Sequence, residues 1–231
     1  MMLINWSTSP ITHSMFAEIM ERNKGILAKS DSYLCPQIDK MIDLLRRLES
    51  TASYDFYSSI QQQQFAKGDL LLSEGDACKH LWFLESGVMR QYLNINGKEQ
   101  IGSFFFPGEF IVSNKTNTIN IPSKVNIEFG SKSAIFILHL SCLERLKVTN
   151  PLLNEIEKLG FMCRSNWLEA HNYFLHSTPV ERYKSILNNH PGLLHQIPLK
   201  HLSSFMHITP ENLSRIRTKV NRKNIYRNTI N

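Results

Sequence analysis

Hydrophobic positions change their spacing several times along this chain of 231 residues. Near the start they recur at three and four: Ile38, Met41, Ile42, Leu45 and Leu48 share one face, with Arg46, Arg47 and Glu49 off it, which predicts a helix packed on the β-rich segment beyond it. A weaker helix is predicted from Met15 to Leu27, interrupted by Asn23 and Gly25. From Phe65 the texture becomes short runs of β-formers between glycine turns: Lys67-Gly68-Asp69, Glu74-Gly75-Asp76, Ser86-Gly87 and Asn96-Gly97. The runs Leu70 to Leu72, Leu81 to Leu84, Val88 to Ile95, Ile101 to Phe106, Val125 to Phe129 and Ala134 to Leu138 predict a small β-barrel or jelly roll. Gln61 to Gln64 is expected at a loop or strand edge.

Helical spacing then returns with explicit start signals. Ser141-x-x-Glu144 and Thr178-x-x-Glu181 have the capping-box pattern, and Asn150-Pro151 and Thr178-Pro179 place a cap before a first-turn proline. No proline interrupts Pro151 to His176, which allows a helix of about 25 residues, on the order of 37 Å. Leu152, Ile156, Leu159, Cys163, Asn166, Ala170 and Tyr173 form one line along it, and Phe161, Leu168 and Leu175 form another. A helix apolar on two sides must be covered twice. The expectation is that one side packs on the β domain and the other on a second copy, with Ile156, Leu159, Cys163 and Ala170 at the seam.

The stretch Ile197 to Val220 reads as two short helices and a tight turn. Leu199, Leu202 and Met206 are expected on the inner side of the first helix, with Ser203 small enough for close approach. In the second, Thr209 caps, Pro210 suits the first position, and Leu213, Ile216 and Val220 form a buried stripe opposite Glu211, Arg215, Thr218 and Arg222. This is the pattern of a DNA-reading helix-turn-helix. Charge strengthens it. From Pro179 to Asn231 nine Lys or Arg stand against Glu181 and Glu211, a net of +7, while the whole chain carries +6. The basic surplus is therefore confined to the last quarter of the chain, as expected of a phosphate-neutralising patch.

Other classes are disfavoured. No uninterrupted apolar run approaches a membrane span, and the first fifteen residues lack a basic segment followed by an apolar one, so a cytoplasmic protein is expected. Cys35, Cys78, Cys142 and Cys163 form no C-x-x-C pair and read as free thiols, with no metal or cofactor implied. The chain has no G-x-S-x-G, no H-E-x-x-H, no phosphate-binding glycine loop and no usable Cys-His pairing, which argues against an enzyme.

The order of parts resembles the Crp/Fnr family of bacterial transcription regulators from about Ile38 to the C-terminus. The residues that carry the resemblance are Phe65-x-Lys67-Gly68-Asp69-x-Leu71-x-x-Glu74-Gly75, Leu84-x-Ser86-Gly87, Pro107-Gly108-Glu109-Phe110 and Ile208-Thr209-Pro210-Glu211-Asn212-Leu213-Ser214-Arg215. The resemblance implies an α+β chain: a cyclic-nucleotide-binding-like β-barrel or jelly roll at 31–150, a dimerisation helix at 151–178, and a (winged) helix-turn-helix at 179–231. It further implies a homodimer on two-fold symmetric double-stranded DNA, with RNA polymerase as a candidate partner. Glu211 and Arg215 fall where the family reads bases, and a carboxylate can accept from cytosine while arginine grips guanine. The expected DNA-contact set is Thr209, Glu211, Asn212, Ser214, Arg215, Thr218, Lys219, Arg222 and Lys223.

Departures from the family are equally specific. Cyclic-nucleotide-binding members follow the Gly-Glu pair with an arginine that holds the cyclic phosphate. Here Gly108, Glu109, Phe110 and Ser123 stand as effector-pocket candidates, yet no arginine occurs from Gln91 to Glu144, and only Lys115 and Lys124 offer cations near the cassette. Cyclic AMP is therefore not expected as effector, and the effector is unassigned. The N-terminal cysteine cluster of the iron-sulfur members is absent, and neither His80 nor His139 has spacing that argues for haem. His207 occupies a turn position usually held by glycine, and a first wing strand is expected only from Asn224 to Ile230. The alternative reading is a cyclic-nucleotide-binding-like sensor or scaffold that acts through protein partners or an unidentified ligand without specific DNA binding.

Overall fold

A computed structural model describes residues 59–111, 122–189 and 193–228, together with Asp43, Leu44 and Arg47. The helix expected from Met15 to Leu27 lies outside the described residues. Of the one expected from Ile38 to Leu48, Asp43, Leu44 and Arg47 are helical, and Leu44 is buried in the core.

Eight strands form two four-stranded antiparallel sheets. They are β1 (Ile60–Phe65), β2 (Leu70–Leu72), β3 (His80–Ser86), β4 (Met89–Ile95), β5 (Lys98–Phe105), β6 (Phe110–Ile111), β7 (Asn126–Phe129) and β8 (Ser133–His139). The first sheet has the order β1-β8-β3-β6 and the second β2-β7-β4-β5, a jelly-roll-like arrangement. Trp82, Leu84, Met89, Phe105, Ile111, Ile127, Phe129 and Ile135 fill the space between the sheets. The glutamine run is itself strand β1, paired residue by residue with β8 from Ile60↔Leu138 to Phe65↔Ser133. Its polar composition hides it from a hydrophobic reading, because its place at the sheet edge leaves Gln61 and Gln64 exposed.

Two turns show why glycine is required. Asn96 (φ 51°) and Gly97 (φ 74°) both take left-handed backbone, which matches the twist of the β4–β5 hairpin closed by Ile95↔Lys98. At Gly87 (φ 97°) a Cβ would fall 2.0 Å from Ser133 Oγ, so the tight β3–β4 connection has no room for a side chain.

In β4, Met89 points into the sandwich, while Val88 and Tyr92 join an outer cluster. Opposite them the register shifts: Gln91 pairs with Ser103 and Tyr92 with Ile101, leaving Gly102 as an extra residue. This bulge lets Ile101 and Phe104 both face outward. The outer face so made is covered by the C-terminal helices.

Six described helices follow the sandwich: α1 (Leu140–Thr149), α2 (Leu152–His176), α3 (Pro179–Asn189), α4 (Leu193–Gln196), α5 (Leu199–Phe205) and α6 (Pro210–Asn228). The start signals operate with one change. Thr178 and Glu181 close a reciprocal capping box, with Thr178 N–H to Glu181 Oε2 at 2.8 Å and Glu181 N–H to Thr178 Oγ1 at 3.3 Å. Asn150 Oδ1 accepts from Leu152 N–H at 3.2 Å. At α1 the cap is His139, whose Nδ1 accepts from Ser141 N–H at 3.2 Å; Ser141 already lies inside the helix and cannot take the role assigned to it. Lys147 pairs with Glu144 of its own helix (2.7 Å) and ties α1 to α2 through Glu157 (2.6 Å).

Gly87→Ala is expected to destabilise the chain by about 3 kcal/mol or more, because it combines a positive φ with a steric clash against the neighbouring strand. Urea unfolding should show a lower midpoint with an unchanged slope; a change below about 1 kcal/mol would contradict the geometry.

Candidate nucleic-acid interface

The interface is built on α5, the turn after it, and α6. Thr209 caps α6, its Oγ1 accepting from Asn212 N–H at 3.2 Å and its carbonyl accepting from Leu213 N–H at 3.0 Å. Leu213 (0% exposed), Ile216 (6%) and Val220 (5%) point inward with Leu202 and Met206 of the preceding segment. Ser203 is buried and donates its hydroxyl to Lys200 O at 2.9 Å, which allows close helix approach. Leu199, expected inside, is 38% exposed: it stands at the first position of α5, one turn short of the contact with α6.

The turn adopts the strained conformation that its histidine suggested. His207 has φ 51°, and the chain around it is held by Ile208 N–H to Ser203 O at 3.0 Å and by Arg182 Nη1 to Met206 O at 2.6 Å. Arg182 comes from α3, so the turn is fixed from outside as well as by its own backbone.

On the far side of α6, Glu211, Asn212, Ser214, Arg215, Thr218 and Lys219 are all exposed, as is Thr209 at its cap. Glu211 is held below the usual carboxylate range by its own backbone N–H and by the Thr209 hydroxyl, with Arg215 adding to the effect, so it is an anion at neutral pH. Thr218 donates to Ser214 O at 3.1 Å. The helix itself runs to Asn228 and so includes Arg222 and Lys223, of which only the backbone is described. The strand expected from Asn224 is therefore corrected: Asn224 to Asn228 continue α6, consistent with a segment that offers charge and no turn signal.

Gly108, Glu109 and Phe110 lie together at the β5–β6 turn, and Ser123 lies against the segment between β2 and β3. Gly108 and Glu109 occupy the turn between β5 and β6, anchored by Gly108 N–H to Leu84 O (2.8 Å) and by Leu84 N–H to Glu109 O (3.0 Å). Glu109 is half-buried as a residue, but its carboxyl lies away from water, and this burial pushes it up to about 8 against a single opposing bond from Phe106 N–H at 3.2 Å. Phe110 packs on Phe83 with ring centroids 4.9 Å apart. Ser123 is used elsewhere: it is buried, its hydroxyl donates to Val125 O at 2.8 Å, and its backbone pairs with Gly75 and Asp76. Among the described residues no hydrogen bond joins Ser123 to Gly108 or Glu109. Lys124 is exposed, and Lys115 lies outside the described residues.

The expected seam also divides. Leu159 is 4% exposed and sits in the chain's own core with Phe83, Phe136 and Leu146, and Ile156 packs against that cluster. Leu159 is therefore covered within one chain and cannot face a partner. Ala170 is half-buried, and Cys163 is described only as a backbone position of α2. The solvent side of α2 presents Met162 (46%) and Tyr173 (71%), eleven residues apart and so on one face. Among the other thiols, Cys78 is buried and Cys142 half-buried, both unoxidised. His80 and His139 lie edge to face at 5.0 Å, His139 being committed to its cap.

Comparison with curated protein sequences finds no match. Residues 62–143 match the cyclic nucleotide-binding domain family. Among solved structures, FixK2 from Bradyrhizobium japonicum superposes with a TM-score of 0.59 at 17% identity, over 72% of this chain and 86% of that one. A CooA mutant from Carboxydothermus hydrogenoformans gives 0.57 at 15% identity, over 78% and 84%. CLP of Xanthomonas campestris, described as a c-di-GMP responsive global regulator, gives 0.56 at 14% identity, over 74% and 90%. The described residues therefore share the fold of these solved structures, that of the Crp/Fnr regulators which the sequence resembles.

Proposed function

We propose that this chain is a cytoplasmic, non-enzymatic, sequence-specific DNA-binding transcription regulator. In this reading 31–150 is the sensor unit, 151–178 the pairing helix and 179–231 the DNA-binding unit, with RNA polymerase a candidate partner. The observation that carries it is the outward face of α6: an ionised Glu211 and Arg215, Thr218 and Lys219 are presented to solvent on a capped helix whose opposite face is buried. Among the described residues no helix is long and apolar enough to cross a membrane. Selection from a random duplex pool with the purified protein tests the reading, and a two-fold symmetric site is the expected product.

Arg215→Ala is expected to cost about 1 to 3 kcal/mol per half-site on the selected operator and much less on scrambled DNA, since a base contact carries sequence information. Lys219→Ala should weaken both duplexes alike and reduce the salt-dependence slope by about 1. Titrations at several salt concentrations decide; equal loss on both duplexes for Arg215→Ala would contradict the docking.

The homodimer forms, in this reading, through the solvent face of α2 at Met162 and Tyr173, with Ala170 beside them. Replacing both Met162 and Tyr173 with Asp should give folded monomers, because charge is forced into the seam. Leu159→Asp should instead lower stability, since it places the charge in the chain's own core. Light scattering paired with thermal unfolding separates the two; a wild-type monomer at micromolar concentration would sink the dimer.

Cyclic AMP is not the controlling ligand in this proposal. A cyclic phosphate needs a fixed cation, and the stretch from Gln91 to Glu144 contains no arginine. Calorimetry with cyclic AMP should show no binding at micromolar concentration; a micromolar dissociation constant would overturn this part of the reading.

A further inference from the structure

Strand β5 is an edge of its sheet, and its outward peptide groups are met by a helix where a strand would otherwise pair. The Ser204 hydroxyl accepts from Ile101 N–H at 3.0 Å and donates to Glu99 O at 3.1 Å, satisfying both kinds of edge group with one side chain. In return Gln100 Nε2 donates to Ser204 O at 2.7 Å, a carbonyl in the last turn of α5 that also accepts from His207 N–H at 3.0 Å.

Beside this exchange lies a buried ionic cluster. Arg90, 7% exposed, grips Glu128 at 2.7 Å and Glu99 through its other nitrogen, lies 4.5 Å from the centre of the Tyr92 ring, and reaches His201 Nε2 at 3.3 Å. Because an arginine nitrogen only donates, His201 Nε2 accepts and the ring is neutral in this arrangement. Burial and the adjacent guanidinium both lower the His201 pKa, in agreement, although Glu99 and Glu128 oppose them. Phe104 and Phe205 close the other end of the contact, with centroids 5.3 Å apart.

We infer that this interlock of Arg90, Glu99 and Gln100 with His201 and Ser204 positions the DNA-reading helix relative to the sensor sandwich. The inference rests on the regulator reading given above. The path is short: Ser204 is seated on β5, the Met206 carbonyl is held by Arg182, and Leu213 and Ile216 of α6 belong to the same apolar cluster as Val88 and Ile101 of the sandwich. None of the interlocking residues lies on the exposed face of α6, so they act on where that face points and make none of its contacts. Direction matters only when two reading helices must meet half-sites set about 34–36 Å apart. An isolated half-site makes no such demand.

The test uses the full chain with Gln100→Ala and Ser204→Ala combined, on the selected operator and on a duplex holding a single half-site. The double variant should lose about ten-fold or more on the paired site while staying within about two-fold on the single one, because misplaced modules forfeit simultaneous engagement. Ser204→Thr with Gln100 intact keeps a hydroxyl and should restore paired-site binding. Equal losses on both duplexes would mean that the residues merely hold the helix pair folded, and unchanged binding on both would mean that the interlock positions nothing; either overturns the inference. Failure of the underlying reading looks different: the wild type itself would bind neither duplex.

Discussion

The outer face of the β2-β7-β4-β5 sheet cannot be left to water, and the rest of the molecule is arranged around that constraint. Val88, Tyr92, Ile101 and Phe104 would expose a contiguous apolar patch there, and the bulge at Gly102 is what brings the last two to the same side. Tyr183, Ile186, Ile197, Leu202, Met206, Leu213, Ile216 and Val220 supply the opposing surface. Neither the outer face nor the short helices of the C-terminal unit has enough partners alone. Their shared cluster is thus the main apolar link between the nucleotide-binding-type domain and the helix-turn-helix.

Polar groups inside that contact give it a single geometry. Apolar burial is non-directional, whereas an arginine held by two carboxylates and a serine that pairs with both groups of a strand edge accept only one placement. The cost of removing Arg90 from water is offset by its pairing with both Glu99 and Glu128. The strained His207 turn then transmits this placement to α6. The exposed face of α6 remains open because every one of these contacts uses the opposite side of the helix pair.

Much of this was legible in the chain. Strands β2 to β5, β7 and β8, the Asn96-Gly97 hairpin, the 25-residue helix α2 and the capped helix α6 follow from period, turn chemistry and caps, which are local. What was not legible depends on distant partners. The cap of α1 is the exception, a local miss: His139, two residues ahead of Ser141, accepts through a ring nitrogen, which the capping-box pattern does not anticipate; Gln61 to Gln64 pair as a strand only because β8 lies beside them, and Leu159 is claimed by the chain's own core, though its spacing fits a seam equally well. Arg90, Glu99, Gln100, His201 and Ser204 were missed for the same reason. A lone arginine in an alternating strand signals an exposed position until a second carboxylate and a helix more than a hundred residues later are folded onto it.

A sandwich face and a helix-turn-helix that share one apolar cluster and one polar interlock should behave as a single cooperative unit. Native-state hydrogen exchange over a range of denaturant reads this property residue by residue. The amides of Tyr92 and Ile101 and those of Leu202, Leu213 and Ile216 are predicted to open together, with one free energy and one denaturant dependence. Opening of the helical residues at distinctly lower free energy, with β4 and β5 still protected, would contradict it.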